Sequence, residues 1–111
     1  MKLDNSAKKD VSVMAEVYDA SSYFIGEIRG NAIYGAGNNI IGEVRDSGIY
    51  DSSNRFVAEV RSNALYDSGN SYIGEIRGTS IYNSSSSYLG EIRNGSPSEA
   101  AGAAALLLRL L

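Results

Sequence analysis

The chain has 111 residues, a formal net charge of −3, and neither cysteine nor histidine. That inventory excludes disulfides, thiol nucleophiles, imidazole acid–base catalysis and metal sites built on Cys or His. The one basic cluster is Lys2, Lys8 and Lys9, and the row of unpaired cations that a nucleic-acid surface needs is missing.

Residues 1–10 contain no apolar run of signal-peptide type, so this stretch is expected to be a disordered N-terminus of a soluble, cytoplasmic protein. From Val11 to Val17 apolar and polar residues alternate, and Met14-Ala15-Glu16-Val17 echoes Val57-Ala58-Glu59-Val60. This is a partial repeat that supplies a first strand. The β-repeat domain is accordingly placed at 11–96.

Five 16-residue segments then align without a gap, at 17–32, 33–48, 49–64, 65–80 and 81–96. Position 2 is always Tyr (Tyr18, Tyr34, Tyr50, Tyr66, Tyr82), position 11 always Glu and position 13 always Arg. Each repeat holds two β-branched or aromatic runs bounded by turn residues, which predicts a hairpin. Two-residue pairs such as Gly30-Asn31 and Asn94-Gly95 suit tight turns with a left-handed backbone. The longer turn, of about four residues, is usually opened by Asp19, Asp51, Asp67 or Asn83, whose side chains can accept from backbone donors two residues on.

The fold class expected is mainly β: an antiparallel meander of five hairpins plus one C-terminal α-helix. Whether the sheet stays open, rolls up or closes as a barrel is left open by the pattern. A parallel solenoid would instead stack each Glu on the next at about 4.8 Å, where like charges repel; the meander separates them. Its register places positions 1, 3, 8, 10 and 12 on one packing face and 2, 9, 11, 13 and 16 on the other. Position 10 is small in every repeat (Gly26, Gly42, Ala58, Gly74, Gly90), which weakens a strand but leaves room for something to approach the sheet closely.

Ser96-Pro97-Ser98-Glu99 has the form of a capping box. After it, residues 97–111 are expected to form a helix of about 22 Å, apolar on nearly every side. At 12 residues, the run Ala100–Leu111 is too short to span a bilayer. Such a helix must be covered, by its own sheet or by other subunits. One sheet face looks too little cover, so a homo-oligomer joined through Leu106, Leu107, Leu108, Leu110 and Leu111 is expected.

The tyrosines Tyr18, Tyr34, Tyr50, Tyr66 and Tyr82 form a candidate strip for stacking a glycan or peptide, set against plain cross-strand packing. The Glu/Arg ladder reads as a surface ion-pair lattice, since five equivalent carboxylates argue against one special catalytic residue. The Asp-Ser-Ser-Asn loops read as turns, lacking the acid density of calcium loops. No nucleophile–base pair or metal set can be assembled, so an enzyme is not expected and neither is a cofactor. No membrane or nucleic-acid partner is expected; a protein or glycan partner remains.

The strings Ile49-Tyr50-Asp51-Ser52-Ser53-Asn54 and Tyr72-Ile73-Gly74-Glu75-Ile76-Arg77 resemble a group of short bacterial repeat proteins built from IYDSSGxYIGxI units. Some of these travel on integron mobile gene cassettes, so the resemblance implies a bacterial, cassette-borne origin and no particular activity. The strand and turn alternation is also similar to MORN-type repeats, which form antiparallel meanders. Their Trp and longer period are missing, so their roles do not carry over. The reading that follows is a non-enzymatic, self-associating structural or protein-interaction protein, with glycan or peptide binding as the alternative.

Overall fold

A computed structural model describes residues 14–95 and 99–111, the side chain of Met14 excepted. The expected disorder of residues 1–10 and the caps proposed for Ser96 and Pro97 lie outside these residues. Ten strands follow in chain order: β1 (Met14–Asp19), β2 (Phe24–Arg29), β3 (Ala32–Gly35), β4 (Ile40–Arg45), β5 (Gly48–Asp51), β6 (Phe56–Arg61), β7 (Ala64–Asp67), β8 (Tyr72–Arg77), β9 (Ser80–Asn83) and β10 (Tyr88–Arg93). The helix α1 spans Ala100–Leu107.

Every strand pairs antiparallel with its chain neighbours, and β10 pairs with β1 to close a barrel. The closing register places Gly90, Glu91 and Ile92 opposite Asp19, Tyr18 and Val17. Within the chain, Gly42, Glu43 and Val44 meet Asp51, Tyr50 and Ile49 across a tight turn in the same way. The barrel is therefore a fivefold ring of hairpins cut at one tight turn. Closure leaves no unpaired edge, so the ladder's backbone groups are satisfied without a cap.

Within the long-loop hairpins the register departs from expectation. Tyr18 lies opposite Phe24 and Val17 opposite Gly26, so Ile25 is the extra residue of a bulge. The same shift recurs in the other four hairpins. Position 8 thereby turns outward beside the position-2 tyrosine, where the sequence register had placed it inside. Position 9, assigned to the outer face, is half-buried and packs on the core. The cause lies in the loop. Asp19 N–H donates to the Tyr23 carbonyl and Ser22 N–H to the Asp19 carbonyl, with Ser22 at φ 67°. The loop thus uses three residues rather than four, and the bulge absorbs the residue left over.

The inner wall is made by position 1 (Val17, Ile33, Ile49, Leu65, Ile81), with no exposed surface, and by Ile28, Val44, Ile76 and Ile92 at position 12. Helix α1 runs inside this wall and touches β1 to β5 and β8 to β10. Its first part is small: Ala100, Ala101, Gly102, Ala103, Ala104 and Ala105 are all buried. A Cβ on Gly102 would come within 2.8 Å of Ile28, so a bulkier side chain has no room at this level. Toward the long-loop end the sizes invert. Leucines face the small position-10 residues, Leu106 over Gly26, Leu107 over Gly90, Leu108 over Gly74 and Leu111 over Gly42. Large wall residues meet small helix residues and the reverse, which is how close packing is kept along the axis.

The helix ends at Leu107 rather than running to Leu111. Arg109 adopts φ 58°, and Leu110 N–H donates to Ala105 while Arg109 N–H donates to Leu106. That pair of bonds is the Schellman arrangement, here with Arg where glycine is usual. The turn it makes spreads the last leucines across the barrel mouth. At the other end the helix starts after Glu99, whose side chain does not cap the N–H groups of the first turn.

The position of α1 shows where the leucines expected at a subunit interface lie within one chain. Leu106, Leu107, Leu108, Leu110 and Leu111 all pack on the core of their own barrel. A single sheet face would have been too little cover, but a sheet closed on itself surrounds the helix on all sides.

Candidate functional site: the outer belt and the barrel mouth

Outward-facing residues form a belt that repeats around the barrel. Each position-2 tyrosine is half-buried and lies under the guanidinium of the preceding position-13 arginine. The distances to the ring centroid are 4.1 Å for Arg29 over Tyr34, 4.4 Å for Arg45 over Tyr50, 4.6 Å for Arg61 over Tyr66 and 4.2 Å for Arg77 over Tyr82. Arg93 over Tyr18, at 3.9 Å, completes the circle across the β10–β1 seam. The other neighbour of each ring is the position-8 residue. Tyr18–Phe24, Tyr50–Phe56, Tyr66–Tyr72 and Tyr82–Tyr88 meet edge to face with centroids 5.7–5.9 Å apart. Such cation–π and aromatic pairs contribute about 0.5–1.5 kcal/mol each.

This geometry revises the tyrosine strip. Tyr18, Tyr34, Tyr50, Tyr66 and Tyr82 do share one face, but each has a ring face covered by arginine. Apart from Tyr23 in the first long loop, the large hydrophobic residues exposed to solvent among the described residues are at position 8: Phe24, Ile40, Phe56, Tyr72 and Tyr88 are each 40–53% exposed. Sequence parity had sent them to the core. The one signal against that was the presence of Tyr72 and Tyr88 in the set, whose hydroxyls need a partner, here Glu75 and Glu91 at 3.4 Å.

Each position-11 glutamate pairs with the arginine two residues on, at 2.6–3.1 Å. Those arginines reach onward as well. Arg29, Arg45 and Arg61 donate to the side-chain oxygens of Asn38, Asn54 and Asn70 in the next long loop. The hydrogen bonds from Arg61 and Arg77 hold the Glu59 and Glu75 carboxyls below the ordinary carboxylate range. A carboxylate whose folded pKa is depressed contributes stability above its unfolded pKa, and that stability is lost as pH falls through the folded value. The thermal midpoint is therefore expected to fall as the pH drops through and below the unfolded glutamate value of about 4.3, in a window set by the lowered folded values. Added salt should shrink the fall, because these pairs are exposed and screened. A flat midpoint across that window would contradict the assignment.

The long loops ring the mouth. In four of them a single side-chain oxygen of Asp19, Asp51, Asp67 or Asn83 accepts two backbone N–H bonds, at 2.9 and 3.0 Å. Gly35 stands at this position in the second repeat, and its loop keeps the same backbone bonds without the side chain. These oxygens act as turn formers, and among the described residues no group of three or more acidic side chains gathers around a common point.

A cavity of about 250 Å³ opens at the mouth beside the seam. Its floor is Ile25, Leu89, Leu106 and Leu107, with Tyr88, Asp19, Ser21 and Arg109 around it. No helix among the described residues is long and apolar enough to cross a membrane.

Neither the curated proteins nor the solved structures contain a match to this chain. The profile of the 5-fold beta-flower proteins matches residues 2–107, a span that takes in all ten strands and the helix. Five hairpins closed around one axis have the fivefold form that the profile's description names, and the chain belongs to the 5-fold beta-flower protein family.

Proposed function

We propose that this protein is a non-enzymatic interaction module that associates with copies of itself through its outer belt. The observation that carries the reading is the ring of exposed position-8 residues, Phe24, Ile40, Phe56, Tyr72 and Tyr88. Aromatic residues and arginine are the types enriched at protein interfaces. Around them glutamate and arginine alternate, so the belt is charge-complementary to a second belt, as a self-pairing surface must be. Fivefold repetition adds avidity to weak individual contacts. The non-enzymatic part of the reading is supported by the carboxylates of the belt: arginine holds Glu59 and Glu75 ionised, the reverse of the raised pKa a general acid needs.

The test is solution mass against concentration for the full chain and for a variant carrying Phe24→Thr, Phe56→Thr, Tyr72→Thr and Tyr88→Thr. Thr retains β propensity at outward positions. The intact chain should gain mass with concentration while the variant stays monomeric with an unchanged circular dichroism spectrum. An intact chain that is monomeric up to hundreds of micromolar (order of magnitude) would end the proposal. The exposed aromatics also suit a sugar ring. Glycan-array binding by a monomeric wild type, abolished in the same variant, would move the belt from self-association to glycan recognition.

A further inference from the structure

The mouth cavity adjoins the belt, sharing Tyr88 with it, and it breaks the fivefold symmetry of the barrel. Over Gly74 and Gly42 the mouth is filled by Leu108 and Leu111. In the sector between Gly90 and Gly26, Leu107 and Leu106 lie against the wall and also line the cavity, with Ile25 and Leu89. Leu111, beyond the turn at Arg109, lies over Gly42 instead.

Two opposite charges stand on the rim of this apolar space, Asp19 and Arg109. They do not pair with each other, and neither forms an ion pair with any other described residue. One oxygen of Asp19 accepts from the backbone of Ser21 and Tyr23, which fixes the carboxylate in place; its second oxygen has no hydrogen-bond partner among the described residues. Arg109 is held at the rim by a left-handed backbone that costs Arg more than it would cost Gly. At about 250 Å³ the space lies just below the volume range of pockets for drug-sized ligands, about 300–1,000 Å³. It has room for one small molecule.

We infer that the mouth cavity is a binding site for a free apolar α-amino acid: its side chain on Ile25, Leu89, Leu106 and Leu107, its ammonium on Asp19 and its carboxylate on Arg109. A ligand bearing only a carboxylate would set its charge beside Asp19, and one bearing only an ammonium would set its charge beside Arg109. The zwitterion answers both, and its apolar remainder matches the floor. The site shares Tyr88 with the belt, but it does not rest on self-association, and its test changes only Asp19 and Arg109.

The experiment is titration calorimetry of the full chain with leucine and phenylalanine. 4-Methylpentanoate and 3-methylbutylamine serve as probes that each lack one charge of leucine. Saturable one-to-one binding is expected for at least one of the amino acids, with each single-charge probe weaker by about tenfold or more. Two variants separate the charges without disturbing the fold. Asp19→Asn keeps the loop, since Asn83 makes the same two backbone bonds in the fifth repeat. Arg109→Gly suits the left-handed turn. Asp19→Asn should bring leucine to the level of 4-methylpentanoate, and Arg109→Gly should bring it to the level of the amine. The inference is overturned if neither amino acid binds saturably, if the single-charge probes bind as well as leucine, or if both variants bind leucine as the parent does.

Discussion

A chain ending at Gly95 is expected not to form the barrel. Helix α1 is the core of the molecule rather than an appendage. Ile28, Ile33, Ile49, Leu65, Ile81 and Val17 are all fully buried, and they line the lumen that the helix fills. Full burial of such a side chain contributes about 1.5–3 kcal/mol. Exposing even half of that across these six positions removes an amount comparable to the whole stability of a domain, about 5–15 kcal/mol. An empty lumen also forfeits the dispersion contacts of the wall. The truncated chain should show no cooperative thermal transition and should aggregate, while the full chain unfolds in a single step. A truncated chain with a sharp transition and the parent's far-ultraviolet spectrum would show that the hairpin ring is self-sufficient, contrary to this account.

Alanine substitution along the small position-10 ring should give a graded series. Gly26 and Gly90 have φ of 159° and 154°, a region that L side chains rarely adopt, whereas Gly42 and Gly74 lie outside it. A Cβ at Gly90 would stand 2.2 Å from the Tyr18 carbonyl oxygen, 2.7 Å from Leu107 and 2.9 Å from the Asp19 Cα. Two of those three atoms are backbone at the closing seam and cannot move aside without parting β10 from β1. Gly90→Ala is expected to cost about 3 kcal/mol or more, combining overpacking with backbone strain. Gly74→Ala meets Tyr82 O at 2.6 Å and Leu108 at 3.2 Å, with no strained φ. Ala58 already occupies the equivalent place in the third repeat, so about 1 kcal/mol is expected for Gly74→Ala. Urea unfolding midpoints read the difference. Equal costs at Gly74 and Gly90 would refute the view that backbone strain and the second backbone contact make Gly90 the tighter place.

How far the sequence could be read depended on the range of the interaction involved. The hairpins, both kinds of turn and the inward side of positions 1, 10 and 12 are local, set by alternation and by residues such as Asp51 and Asn94. The small residue at position 10 was correctly a sign of close approach. Position 8 was misplaced because a bulge leaves no local mark: Phe24 and Ile25 are both apolar, and either could have faced inward. The bulge is fixed only when Asp19 bonds across the loop to Tyr23 and the ladder resumes at Gly26. The arginine cover on the tyrosines was hidden for a related reason, since Arg93 and Tyr18 are distant in sequence and meet only when the circle closes.

By itself the sequence determined the fivefold repeat, the antiparallel zipping of neighbours and the need to cover an apolar helix. These follow from side-chain periodicity and turn chemistry, which act over a few residues. What covers the helix was decided only by tertiary structure. Pairing of β10 with β1 is a contact between the two ends of the array, and no residue in either strand distinguishes it from an open edge. Once that pairing forms, the packing face of the sheet becomes the inside of a barrel. The same leucines that would have sought another subunit then find their place over the glycines of their own chain.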